Sequence, residues 1–371
     1  MTSESFFKRI ETQYANQLPF VIYRKPRESN VKAVLQQTDA LHIVNDFTEN
    51  GFVFAPFDAS ENSVLLPLEF CETLVTSDVS SNEVATFHSN TNFSEEEKQH
   101  HIRLVKKGIL AINEQLFEKV VLSRKEFVSF HEKSPIAIFK NLLKTYPFAF
   151  AYCWYHPKVG LWLGATPETL IKIDGNQFSI MALAGTQAYN HTLDVVWEEK
   201  EKEEQKFVTD FIIDNLKPLV ESLHISDTET VKAGTLLHLK TIVSARLKST
   251  ATLKQLISEI HPTPAVCGLP KETAKQFILA NENYNRAFYT GFLGELNFET
   301  IKAPRSGKRN IENRAYAITK KSTQLYVNLR CMQLKENQAI IYVGGGITAH
   351  SNPEAEWDET VLKSLIIKNI L

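Results

Sequence analysis

Near the end of the chain an apolar run, Ala339–Val343, passes into three glycines, Gly344–Gly346, and then into a pattern of helical period. The β-branched and aromatic content of the run predicts a strand. Ser351 followed by Glu354, with Pro353 between them, is a helix-start signal of the capping-box type. In the helix beyond it, Glu356, Glu359, Leu362, Lys363 and Ile366 recur at three- and four-residue steps and share one stripe. Leu362 and Ile366 are expected to face the core, carrying two carboxylates and a lysine inward. The plainer reading is that these glutamates favour the helix N-terminus electrostatically. The glycines are expected to let backbone N–H groups approach an anion, with a tight turn as the alternative. Gly344, Gly346 and Ala349 also spell a dinucleotide fingerprint. That motif is rejected, because Asn352–Pro353 delays the helix and no second parallel strand follows.

The same periodicities order the rest of the chain. Residues 1 to 93 read as short strands and loops, among them Phe20–Tyr23, Phe52–Phe57 and Val64–Leu68. Ser94 with Glu97 opens a helix striped by Ile102, Val105, Ile109, Ile112 and Leu116. Glu118–Arg124 predicts a strand with Lys119, Val121 and Ser123 on one face. Lys119 is there either as an exposed end or as a functional group. Ser134–Tyr146 is a helix, Phe148–Tyr155 and Leu161–Leu163 are strands, and Gly164–Leu170 sets Glu168 between apolar segments. Asp174–Gly175 signals a hairpin whose return strand ends at Leu183–Thr186.

Trp197–Glu221 reads as a long helix. Its apolar stripe, traced back from Leu216 and Ile212, passes through Glu204, Glu201 and Trp197. A carboxylate turned toward a core is costly unless a cation compensates it. Two helices thus carry a Glu-x-x-Glu pair on an inward stripe. Oxygen donors without histidine or cysteine suit a hard cation such as Mg2+. Leu236–Leu247 is a strand holding His238, which is either a hydrogen-bonded core histidine or a ligand contact. His261–Gly268 is a rigid loop, Lys271–Ala280 a helix and Ala287–Phe298 strand-like. Residues 300–313 form a basic excursion, and Leu325–Leu334 is a strand in which Arg330 needs an anionic partner. Hairpins with long helices place the chain in the α+β class.

Composition narrows the function classes. The chain has 371 residues, is 43% hydrophobic and 23% charged, and carries a formal net charge of −2. That balance gives no field to recruit nucleic acid or a membrane surface. No leader pattern and no apolar run of transmembrane length is seen, so a cytoplasmic protein is expected. The 4 cysteines lie far apart without a C-x-x-C, and the 11 histidines form no H-E-x-x-H. Reduced thiols are expected, and zinc is not.

Seven stretches, in this order, carry a resemblance: Lys119–Arg124, Gly164–Glu168, Leu183–Thr186, Glu201–Glu204, His261–Ala265, Asn328–Cys331 and Gly344–Lys363. Together they resemble the chorismate-utilising enzymes, which comprise isochorismate, salicylate, anthranilate and aminodeoxychorismate synthases. The resemblance implies a single large domain over 1–371, with a divergent part at 1–93 and a catalytic core at 94–371. It implies two mostly antiparallel β-sheets packed as a core sandwich and surrounded by helices.

By the same resemblance Lys119 is the general base and Glu168 the general acid. Glu201, Glu204, Glu356 and Glu359 hold Mg2+. Arg330 with the Gly344 backbone takes the enolpyruvyl carboxylate of chorismate, while Gly185, Thr186, His238 and Lys363 line the ring-carboxylate end. Ala184 stands where one type of aminodeoxychorismate synthase has lysine. Ala265 stands where salicylate and anthranilate synthases tend to have the threonine associated with pyruvate loss. The expected member is therefore a monomeric isochorismate synthase feeding menaquinone or catechol siderophore synthesis. Salicylate synthase and a non-catalytic chorismate-binding subunit are the alternatives.

Overall fold

A computed structural model describes residues 1–77, 94–130, 134–234, 236–302 and 318–371. The chain opens with helix α1 (Ser3–Ala15), then β1 (Phe20–Arg24), β2 (Val31–Gln36), β3 (His42–Ile43), β4 (Gly51–Ala55), β5 (Val64–Pro67) and β6 (Cys71–Thr76). Helix α2 (Glu95–Asn113) leads into β7 (Lys119–Ser129). Helix α3 (Pro135–Thr145) leads into β8 (Phe150–His156), β9 (Gly160–Thr166), β10 (Thr169–Asp174) and β11 (Gln177–Ala188). After α4 (Glu199–Leu216) come β12 (Val220–Ile225), β13 (Glu229–Ala233) and β14 (Leu236–Leu247). Then follow α5 (Leu253–Ile260), β15 (Gly268–Leu269) and α6 (Lys271–Asn281). The last elements are β16 (Phe292–Lys302), β17 (Ile318–Val327), β18 (Cys331–Lys335), β19 (Gln338–Ile347) and α7 (Pro353–Lys368).

These strands form two antiparallel sheets, as expected. One has 9 strands in the order β15-β7-β19-β18-β9-β8-β1-β2-β6. The other has 10, running β12-β14-β11-β10-β17-β16-β4-β5-β3, with β13 beside β14. Alternation along single strands explains the packing. In β8, Phe150, Tyr152 and Trp154 join an aromatic cluster with Phe52, Phe54 and Tyr326 of the other sheet. Ala151 and Cys153 point the opposite way, to Phe139 and Leu142 of α3 and to Phe6 and Ile10 of α1. The second sheet likewise turns Ile180 and Val243 to Val208 and Ile212 of α4. Strands covered on both faces read as unbroken apolar runs, which is why Phe20–Tyr23 shows no polar alternation.

Several expectations are corrected. Helix α1 occupies a stretch read as strands and loops; its buried residues Phe6, Phe7, Ile10 and Gln13 keep a helical step. Helix α7 is capped by Asn352, whose side chain accepts from the Glu354 and Ala355 amides, and not by Ser351. Leu362 is 47% exposed. Ile366 is buried as expected, together with Trp357 and Ile367, and Glu356, Thr360 and Ser364 are buried beside them. Leu325–Leu334 is not one strand: β17 ends in one sheet, and β18 begins in the other after a corner at residues 328–330. The expected excursion at 300–313 lies outside the described residues beyond Lys302.

Candidate active site

The site sits where β7 and β19 pair, at the end of the first sheet that faces α4 and α7. The ladder continues through the glycines, with Gly346 opposite Val121 and Gly344 opposite Ser123. The glycines are strand, not a turn, and the neighbours above them explain the missing side chains. A Cβ on Gly346 would lie 2.3 Å from Glu204 Oε1 and 3.0 Å from Lys119 Cε. One on Gly345 would lie 3.2 Å from Glu356 Oε2 and 3.7 Å from Glu359 Oε1. Gly345 and Gly346 thus form a bare floor against the carboxylates of α7 and α4 respectively, while a Cβ on Gly344 would lie 2.7 Å from the Leu122 carbonyl and 3.1 Å from the Tyr289 hydroxyl.

Lys119 opens β7 and is 1% exposed. Burial lowers the pKa of its amine; Glu204 and Glu168 oppose the shift, while Lys363 and Lys200 add to it. Glu168 sits in the break between β9 and β10. Its N–H donates to Thr166 Oγ1 and its carbonyl accepts from the Val327 amide at 3.1 Å. Burial pushes its carboxyl up to about 8, against the pull of Lys119 and Arg330.

Arg330 occupies the inter-sheet corner with φ 49°, a left-handed conformation that aims the side chain into the cleft. Burial lowers its pKa. Its Nη1 is buried without a hydrogen-bond partner, and Nη2 lies 3.5 Å from His238 Nε2. His238 Nδ1 contacts the Gly185 carbonyl at 2.7 Å, which makes Nδ1 the protonated nitrogen. Burial pulls His238 down to about 3, so the ring is neutral at pH 7. Gly185, at φ 69°, brings its backbone against α4: its N–H donates to Glu204 Oε2 at 3.3 Å.

Glu356 and Glu359 of α7 each meet a lysine, one from α4 and one from α7 itself. Lys200 Nζ contacts Glu356 Oε1 at 2.5 Å, and Lys363 Nζ contacts Glu359 at 2.5 Å while donating to the Gly344 carbonyl at 3.0 Å. Burial and the neighbouring Glu359 raise the Glu356 pKa. Burial opposes ionisation of Glu359 too, but Lys363 and Lys200 outweigh it and hold the carboxyl low. Glu356 Oε2 and Glu201 Oε2 are buried oxygens with no partner. An all-carboxylate set with orphaned oxygens fits a hard dication. Among the described residues, however, no three acidic, histidine or cysteine side chains stand close enough to form a metal site unaided. An ion held here needs water or a bound anion to complete its shell.

A cleft with about 730 Å³ of empty volume is lined by every residue singled out from the sequence except Glu201 and Glu356. Glu356 lies behind the lining, 1% exposed, and Glu201 is half-buried beside Gly185. Sequence reasoning missed Lys200, although it sits one helical turn before Glu204. It also left open the aromatic wall of Tyr289 and Tyr342, whose rings stack at 5.5 Å.

Comparison with known proteins adds a lineage to this geometry. A family model described as "Chorismate binding enzyme" matches residues 60–302, and a second of the same description matches 316–369. Isochorismate synthase EntC of Escherichia coli is 30% identical over 220 residues, covering 57% of this chain and 51% of that protein. The chain thus spans about half the length of this curated relative. Among solved structures, the menaquinone-specific isochorismate synthase MenF of Escherichia coli superposes with a TM-score of 0.73 at 20% identity, covering 95% of this chain and 88% of that one. A Bacillus anthracis protein described as a 2,3-dihydroxybenzoate-specific isochorismate synthase, DhbC, gives 0.75 at 20% identity, covering 97% and 98%. At these identities the superpositions speak for the fold alone. The family model, laid over more than half of the residues, speaks for descent: this chain belongs to the chorismate-binding enzymes.

Proposed function

We propose that this protein is an isochorismate synthase that uses Mg2+. The observation that carries the reading is the buried pair of Lys119 and Glu168 in one cleft, with burial lowering the pKa of the amine and raising that of the carboxyl to about 8. At neutral pH such a pair supplies a base and an acid together. Lys119 takes a proton from water as the water oxygen bonds to the ring carbon beside the carboxylate. The ring double bonds shift, the distal C–O bond breaks, and the hydroxyl leaves with the proton of Glu168. One water enters and one departs, so the ring is isomerised without redox change.

Arg330, with its unpaired Nη1, suits the enolpyruvyl carboxylate, and Lys363 with His238 and Thr186 suits the other end of the dianion. Glu204 and Glu359 would hold Mg2+ directly or through water, with Glu201 and Glu356 behind them. The ion would supply positive charge at the ring carboxylate. Ala265 in the lining supports stopping at isochorismate. The curated name of the Escherichia coli relative points the same way.

The reading takes the protein as a cytoplasmic monomer whose product serves menaquinone or catechol siderophore synthesis. None of the described helices is long and apolar enough to cross a membrane, and the cysteines are free thiols. Incubation with chorismate and Mg2+, followed by product chromatography, tests the activity. Isochorismate is expected; salicylate with pyruvate, or unchanged chorismate, would overturn it.

A further inference from the structure

The outer edge of β7 is only partly covered by a neighbouring strand. β15 pairs with Lys119 and Val120 alone, and the Val121 N–H reaches the Cys267 carbonyl at 2.7 Å. Among the described residues no strand carries that ladder further. Two side chains take its place. Arg286 Nη2 donates to the Val121 carbonyl at 2.7 Å, and Glu282 Oε1 accepts from the Ser123 N–H at 2.7 Å. One donor and one acceptor thus stand where an antiparallel neighbour would offer them. The two side chains grip each other through both carboxylate oxygens, at 2.6 and 2.8 Å. Arg286 Nη1 then donates to the Val266 carbonyl at 3.0 Å. Arg286 is 2% exposed and Glu282 7%.

These bonds join two walls of the cleft. Lys119 and Val121 line one, and Ala265 and Val266 another. We propose that Glu282 and Arg286 are positioning residues: as a surrogate strand they lock the lysine-bearing end of β7 to the Ala265–Val266 loop, so that the amine meets the ring at a fixed distance. This deepens the isochorismate synthase reading and rests on it. A buried ion pair is weak support for stability on its own, since its desolvation offsets much of its attraction. Its worth here is geometric, and misplacing a catalytic group by about 1 Å can cost on the order of 100-fold in rate.

The test compares wild type with Arg286→Lys and Glu282→Gln. A lysine keeps the charge, but its single nitrogen cannot serve Val121, Val266 and both Glu282 oxygens at once. For Arg286→Lys, kcat is expected to fall roughly 10- to 100-fold, with KM for chorismate within about threefold. The acid limb of the kcat/KM profile should also move to higher pH, because water reaching a loosened Lys119 restores its basicity. Glu282→Gln keeps its acceptor for Ser123 and should show a smaller change of the same kind, which serves if Arg286→Lys does not fold. A lower melting temperature with kcat and the pH limb unmoved would reduce the pair to structural support and overturn the proposal. So would a rise in KM alone. If wild type itself yields no isochorismate, the functional reading falls first.

Discussion

Replacing Glu168 by glutamine keeps the shape of the side chain and removes its proton. General acid catalysis by a positioned group is worth about 10²- to 10⁴-fold, so turnover of Glu168→Gln should drop by that range. The wild-type pH profile should carry the same signature. With a carboxyl at about 8, roughly nine-tenths is protonated at pH 7 and about one-tenth at pH 9, so kcat/KM should fall near tenfold across that interval. On substitution by glutamine, stability should move in the opposite direction to activity. Glu168 binds its proton more tightly folded than unfolded, so the contribution of protonation is whole below about pH 4.5 and is lost as pH rises through about 8. At pH 7 wild type has forfeited on the order of 3 kcal/mol that a non-titrating glutamine does not lose. Urea denaturation of both proteins between pH 5 and 8 measures this: the variant's relative stability should grow with pH, as expected of a site kept at the expense of the fold. A pH-independent difference, or a variant within tenfold of wild-type turnover, would refute the reasoning.

Lys119→Ala should lower turnover by about 10²- to 10⁴-fold while calorimetric affinity for chorismate stays near wild type; equal turnover would contradict the base assignment. Glu359→Gln should raise the Mg2+ concentration needed for half-maximal activity, read from a metal titration, and an unchanged titration would remove Glu359 from the ion's shell. Gly346→Ala places a methyl 2.3 Å from Glu204 Oε1, so Glu204 or β19 must shift. It should cost on the order of 100-fold in rate and about 1–3 kcal/mol in stability by urea denaturation; a variant with normal kinetics would show the floor to be roomier than described.

The strand bounds of β14 and the inward turn of Glu204 were legible because apolar periodicity survives around them. The inward stripe of α7 was legible in Glu356, Glu359, Lys363 and Ile366 but not in Leu362. The usual inference places apolar side chains inside, yet Leu362 is left at 47% exposure while Ser364 and Thr360, whose Oγ1 accepts from Arg124 Nε, are buried. The corner at Arg330 was hidden for a related reason: Leu325–Val327 and Cys331–Leu334 are each largely apolar, and nothing in the pattern says that they belong to different sheets. The pairs Lys200–Glu356 and Arg286–Glu282 were equally obscure. A charge run reads as a solvated face until tertiary packing shows which members have been taken inside.

The position of β19 has a consequence for biosynthesis. It is the last described strand in the chain, yet it lies inside its sheet, clasped between β7 and β18. A nascent chain that has emerged from the ribosome only as far as Lys335 carries two unpartnered inner edges and an open aromatic core. Such long-range closure is slow, and the waiting intermediate is prone to aggregate. Folding should therefore complete only after translation has passed residue 347, with holdase chaperones raising the yield of active protein.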